Sequence, residues 1–196
     1  MRLGLTFRFA KGLENFWYYG RGPLENYVDR SSASDFGIWR STVSEQYVDY
    51  VRPQDCGYRS EVRWAALTDE EGDGVLIRGS VPMYAQALHF GWEDLFMSRH
   101  YGKNIPRVFA PLEPREETYF NFDLRQLGLG SAQCGPKPLA CYAFPVCREE
   151  WTVTLWPVKG ATRESLSDLA AGIPQTVPEQ GEERDLRPVG MGYDGG

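Results

Sequence analysis

The chain has 196 residues, 42% of them hydrophobic and 14% aromatic, with six tryptophans; this is one-domain length and the composition of a folded globular protein able to bury a core. A formal net charge of -6 gives no electrostatic reason to expect nucleic acid, whose binders carry basic patches, so a neutral partner is expected. The amino terminus lacks a continuous apolar stretch and no later run is long enough to cross a bilayer, so the reading is a cytoplasmic protein with no membrane partner.

Cys56, Cys134, Cys141 and Cys147 show no Cys-x-x-Cys spacing, and reduced thiols are expected rather than disulfides or zinc. Leu3, Leu5, Phe7 and Phe9 alternate with polar or small residues, the pattern of a strand with one buried face. After a turn at Lys11-Gly12, residues 16 to 19 form the next strand, which runs into Gly20-Arg21-Gly22-Pro23-Leu24-Glu25-Asn26-Tyr27-Val28-Asp29-Arg30. Gly20 and Gly22 admit backbone angles closed to other residues, and Pro23 fixes its own φ, so a rigid corner is expected here. Glu25, Asn26, Tyr27, Asp29 and Arg30 supply the donors and acceptors to tie it down. Serines at 31, 32, 34, 41 and 44 flank Phe36, Ile38 and Trp39 without clear period, and a loop with a packed aromatic anchor is predicted.

Val62 and Trp64 begin a second strong strand. Thr68 to Gly74 is an acidic turn without EF-hand spacing, and Val75-Leu76-Ile77 returns as the second arm of a hairpin. Residues 84 to 90 form another strand, and residues 92 to 100 have helical spacing with Trp92, Leu95 and Phe96 on one face. Prolines at 106, 111 and 114 keep residues 104 to 116 irregular. Alternation resumes over residues 118 to 124, with Tyr119, Asn121 and Asp123 opposite Thr118, Phe120, Phe122 and Leu124. A loop at 128 to 138 precedes a strand at 139 to 146; residues 151 to 156 alternate again, and a short helix is predicted from an N-cap at Thr162 to a stop at Gly172. The Pro, Gly, Gln and Glu content after residue 173 predicts a disordered tail.

Glu25, Asn26 and Asp29 are candidates either to touch a ligand or to be buried, satisfied groups that fix the corner. His89 and His100 have no companion carboxylate at ligand spacing, so packing or hydrogen bonding is expected and no metal site is assigned. Arg59 and Arg63 fall on one face of a strand if alternation holds, where a structural ion pair is expected. No cofactor is expected in this chain.

The corner segment closely resembles the Gly-x-Gly-Pro-x-Glu-Asn-Tyr-x-Asp-Arg stretch in the C-terminal domain of large β-galactosidases of glycoside hydrolase family 2. Tyr50-Val51-Arg52-Pro53-Gln54-Asp55-Cys56-Gly57-Tyr58-Arg59, Glu61-Val62-Arg63-Trp64, Ala87-Leu88-His89-Phe90, Glu93-Asp94-Leu95 and Gly128-Leu129-Gly130-Ser131-Ala132-Gln133-Cys134-Gly135-Pro136 continue the similarity in order. Several ordered motifs are more specific than one short match. The resemblance implies an all-β fold, an antiparallel two-sheet β-sandwich of the galactose mutarotase-like type lacking its N-terminal strands, over residues 1 to 146. An extension with a strand and short helix over 147 to 172 and a tail over 173 to 196 follow it.

In this family the catalytic glutamates lie in a preceding barrel domain, so no catalytic residue is assigned here and the chain alone is expected to be inactive. Retaining glycosidases place two carboxyl groups about 5 Å apart, and none of Glu25, Asp29, Glu93 and Asp94 is identifiable as that pair. In some members the loop matching residues 128 to 136 brings a tryptophan to the sugar. This sequence lacks that aromatic and resembles the Ser-Cys-Gly-Pro subgroup, so Gln133 and Cys134 are the candidate substrate-binding residues, against a purely structural turn. The implied partners are a β-galactoside or other neutral sugar, the remaining domains of a parent enzyme, and another copy of the chain. A separate carbohydrate-binding module and a truncated assembly fragment are the alternatives, the latter because the first strand offers an open edge.

Overall fold

A computed structural model describes residues 1–50, 55–95, 112–129, 137–144 and 148–173. Strands β1 (Arg2–Phe9), β2 (Asn15–Gly22), β3 (Asp35–Thr42), β4 (Arg59–Thr68), β5 (Gly74–Leu88), β6 (Thr118–Gln126) and β7 (Val153–Val158) are joined with two short helices, α1 (Trp92–Leu95) and α2 (Arg163–Gly172). The fold is all-β, and every strand pairing is antiparallel. The seven strands form one sheet in the order β1-β6-β5-β4-β2-β3, with β7 on β5.

Two devices bend this sheet into a layered structure. Strand β5 is long enough to serve two neighbours on one side: residues 74 to 79 pair with β7 and residues 84 to 88 with β6. Between them lies Pro82, which has no N–H to give a ladder. Opposite this point, the register of β4 slips twice and Glu61 takes φ of 53°, the signature of bulges that sharpen local twist. The consequence is measurable at Phe16 on β2 and Phe120 on β6. Three strand steps separate these strands, about 14 Å in a flat sheet, yet the two rings meet edge to face with centroids 6.3 Å apart.

The main core lies inside the bend, where Phe16, Tyr18, Val62, Leu67, Ile77, Met83, Phe120 and Phe122 are buried and Leu3, Phe7 and Phe9 pack against them. The outer face carries a second cluster, in which Leu166, Ala170 and Ile173 at α2 cover Trp64, Ala66 and Leu76. Burying each large apolar side chain contributes about 1.5–3 kcal/mol. A third cluster of Cys56, Leu88, Phe90 and Leu95 pins residues 47 to 58 against the end of β5.

Four expectations change. Residues 35 to 42 form a strand, not a loop, because all eight positions pair with β2; as an edge strand it is only half buried, so its sequence lacks a clean alternation. The strands expected at 75 to 77 and 84 to 90 are one continuous β5, which ends at Leu88. Of the helix expected at 92 to 100, residues 92 to 95 form one helical turn and residues 96 to 100 lie outside the described residues; Trp92 is exposed while Leu95 is buried, so those two do not share a packed face. Residues 140 to 142 form a 3₁₀ turn where a strand was expected, and the neighbouring Leu139 is exposed. The predicted helix is present as α2, capped by Thr162, whose side chain accepts from the Ser165 N–H; Ile173, past Gly172, ends it. The predicted tail lies outside the described residues beyond Ile173.

Candidate functional site

Strand β2 delivers the corner, and its glycines act by size. Neither Gly20 nor Gly22 uses the unusual backbone angles open to glycine, since neither has a positive φ; both continue the strand. A Cβ at Gly22 would stand 2.3 Å from the Tyr18 hydroxyl and 2.9 Å from the Trp39 ring, so only glycine lets these two aromatics close over the strand end. The following Gly22-Pro23 peptide is cis.

Asn26 is the keystone. It has no exposed surface, and its amide donates to the carbonyls of Arg21 and Leu24, both at 2.9 Å. Its side-chain oxygen accepts from the Ser60 N–H at 2.9 Å and from the Ser60 hydroxyl, while its backbone N–H donates to the Tyr58 carbonyl at 2.8 Å. The corner is thereby bolted to the start of β4. Glu25 gathers a second set of donors: Arg30 at 2.8 Å, the Gly57 N–H at 2.8 Å, Tyr27 at 3.2 Å and the Tyr50 hydroxyl. Gly57 has φ of +78°, a left-handed conformation that suits glycine and aims its N–H at the carboxylate. Burial opposes ionisation of Glu25, but these donors outweigh it and hold the carboxyl below its ordinary range. Burial and then the Glu25 charge push the Tyr27 phenol upward.

Behind the corner, Arg59 is buried without the expected ion pair. Among the described residues its guanidinium donates to neutral acceptors: the Tyr18 hydroxyl at 2.9 Å, Gln46 at 2.7 Å, and the carbonyls of Gly57 and Tyr58 at 3.1 and 3.2 Å. The bulges in β4 separate it from Arg63, which is exposed over the Phe36 ring. Next to Arg59, the Tyr58 hydroxyl donates to Asp123 at 2.7 Å and accepts from Arg2, which also pairs with Asp55 at 3.0 Å. Burial raises the Asp123 carboxyl, against the opposing pull of Tyr58 and Arg2. Alternation alone left Asp123 on the open face; segment 55–58 covers it.

The remaining sequence candidates fall into place unevenly. Asp29 lies against Gly128: a Cβ there would stand 2.6 Å from its Oδ2. The Gly128 N–H donates to the Tyr142 carbonyl at 3.0 Å, so the corner meets one flank of residues 130–136 and that flank is bonded to the other. Gln133 and Cys134 themselves lie outside the described residues. Asp94 is committed to the Gly91 N–H and to Arg115, each at 2.8 Å. His89 contacts Glu14 at 2.7 Å and the Glu117 carbonyl at 3.1 Å, a hydrogen-bonding role as expected, while His100 is outside the described residues. Cys56 and Cys141 are free, and burial pushes the Cys56 thiol up to about 11, which makes it inert. Sequence reasoning missed Gln46, Ser60 and Tyr58, whose bonds to Arg59, Asn26 and Asp123 span 13, 34 and 65 residues of chain.

An open all-β sheet organised around a buried Gly-Pro-x-Glu-Asn-Tyr corner is thus the architecture that sequence and geometry define. The family model described as the β-galactosidase small chain matches residues 1–155, and the chain belongs to that family. It is 31% identical over 128 residues to a β-galactosidase of Priestia megaterium, covering 65% of this chain and 12% of that protein. A β-galactosidase of Staphylococcus xylosus is 28% identical over 136 residues, 69% of this chain and 13% of the relative. One of Lactobacillus delbrueckii subsp. bulgaricus is 44% identical over 69 residues, covering 35% of this chain and 7% of the relative. The chain therefore spans about an eighth of the first two relatives' length.

Proposed function

We propose that this chain is the C-terminal segment of a retaining β-galactosidase of glycoside hydrolase family 2, acting on terminal β-galactosides in the cytoplasm. In this reading the acid and nucleophile, about 5 Å apart, belong to a preceding barrel domain, and the chain alone is inactive. Its contribution is scaffold and position. The observation that carries the reading is the bonded corner, coincident with the family motif, whose Asp29 abuts Gly128 at the root of the segment holding Gln133 and Cys134. In this reading Gln133 and Cys134 line the sugar site, and the corner fixes Gly128, which precedes their segment in the chain.

Replacing the matching segment of the Priestia megaterium enzyme with residues 1 to 155 of this chain tests this. A folded chimera that hydrolyses a chromogenic β-galactoside is the expected result. A soluble, folded chimera without hydrolysis contradicts it. In the active chimera, Gln133→Ala and Cys134→Ala raise KM if they contact sugar; unchanged constants return the segment to a structural turn.

A further inference from the structure

The outer face of the sheet holds a cavity of about 280 Å³ between α2 and the bend in β5. Its walls include Tyr19, Trp64, Val81 and Ala170, and its charged lining residues are Arg63 and Arg78, with no acid among them. The corner site lies elsewhere, around Asn26, Glu25 and the start of β4, and shares none of these residues.

Several features set this cavity apart from a packing gap. It opens because α2 presents Ser167, Ala170 and Ala171 toward the sheet, side chains too small to fill the space over Trp64. Arg63 is exposed, stacks with its Cζ 5.3 Å from the Phe36 ring, and has no hydrogen bond or ion pair among the described residues. Its chain neighbour Glu61 is already paired with Arg21 at 2.6 Å. Arg78 uses Nη1 on the carbonyls of Ala170 and Ile173, the latter at 2.9 Å, which leaves Nε and Nη2 without a described partner. In a chain of net charge -6, two guanidinium groups converge on an apolar hollow with no counter-charge among the described residues that line it.

We infer that this cavity binds a small organic carboxylate with a flat apolar body. A planar guanidinium fork matches a carboxylate in geometry and charge, and the aromatic walls suit a ring. The volume is at the lower end for ligand pockets, which fits one ring and excludes a large ligand. The inference is independent of glycoside hydrolysis and stands or falls apart from it.

Titration of the isotope-labelled full chain with sodium benzoate, and with benzamide as its neutral isostere, tests the site by NMR. Benzoate is expected to give saturable shifts at the Trp64 indole, Gly79 and Ala171, with benzamide at least about tenfold weaker because a charge-assisted bond is lost. Arg63→Gln, at an exposed position, weakens benzoate by about tenfold and leaves benzamide unchanged, whereas Ala171→Phe, also exposed, blocks both. Circular dichroism verifies that each variant is folded. Absence of saturable binding, shifts mapping elsewhere, or equal affinity for the two probes with no effect of Arg63→Gln overturns the inference.

Discussion

Asn26 uses both side-chain donors and its side-chain oxygen on the backbone of residues 21 and 24 and on Ser60, with no solvent in reach. Asn26→Ala orphans these partners in the interior, and each costs about 1–3 kcal/mol. Urea unfolding is expected to show a loss of about 3 kcal/mol or more, and a change below about 1 kcal/mol would remove the corner from the structural account. The acidic groups make a signed prediction. Glu25 is held below its ordinary value of 4.5, so its stabilisation is complete above that value and is lost as pH falls through the lower folded value. Asp123 is raised above its ordinary 3.8, so its contribution is complete below 3.8 and is lost as pH rises through the higher folded value. Unfolding free energy followed from pH 3 to 7 should lose part of its acid decline in Glu25→Gln, whereas Asp123→Asn should lose part of the opposing decline on raising pH. Identical profiles for wild type and both variants would contradict these assignments.

At the scale of elements, α2 is tied on by its cap and by one buried stripe. Thr162 accepts from the Ser165 N–H and Leu166 has no exposed surface. Thr162→Ala should cost about 1 kcal/mol and Leu166→Ala about 2–5 kcal/mol, read as denaturation midpoints; equal small effects would mean that α2 does not cover the outer face. This helix was legible because its cap and stop are local signals. Strands β1, β6 and β7 were legible by alternation, because one face of each meets the core, whereas β2 and β4 were legible as apolar runs, because clusters lie on both of their faces. Strand β3 was not, since an edge strand owes its conformation to β2 and carries no continuous buried face. The continuity of β5 through Pro82 was hidden for a related reason: the bend depends on bulges in β4 that no local residue announces. In the site, Asn26, Glu25 and Arg30 were legible as a polar cluster, but their partners Ser60, Gly57 and Tyr50 come from distant sequence. Arg59 was misread because counting by twos across residues 59 to 63 fails once bulges shift the register.

At the scale of the whole molecule, the sheet is open among the described residues. There β1 pairs only with β6 and β3 only with β2, and exposed Leu24, Leu129 and Leu139 stand on the corner and on the chain flanking residues 130–136. Open strand edges and exposed apolar side chains suit contact with further polypeptide, in keeping with a chain that spans about an eighth of the β-galactosidases it matches. The most direct measurement is galactoside hydrolysis by the purified chain, alone and mixed with a fragment of the Priestia megaterium enzyme lacking the matching segment. The account predicts no turnover from either piece and turnover from the mixture. Hydrolysis by this chain alone would contradict it, because the catalytic carboxylates would then have to lie within these 196 residues.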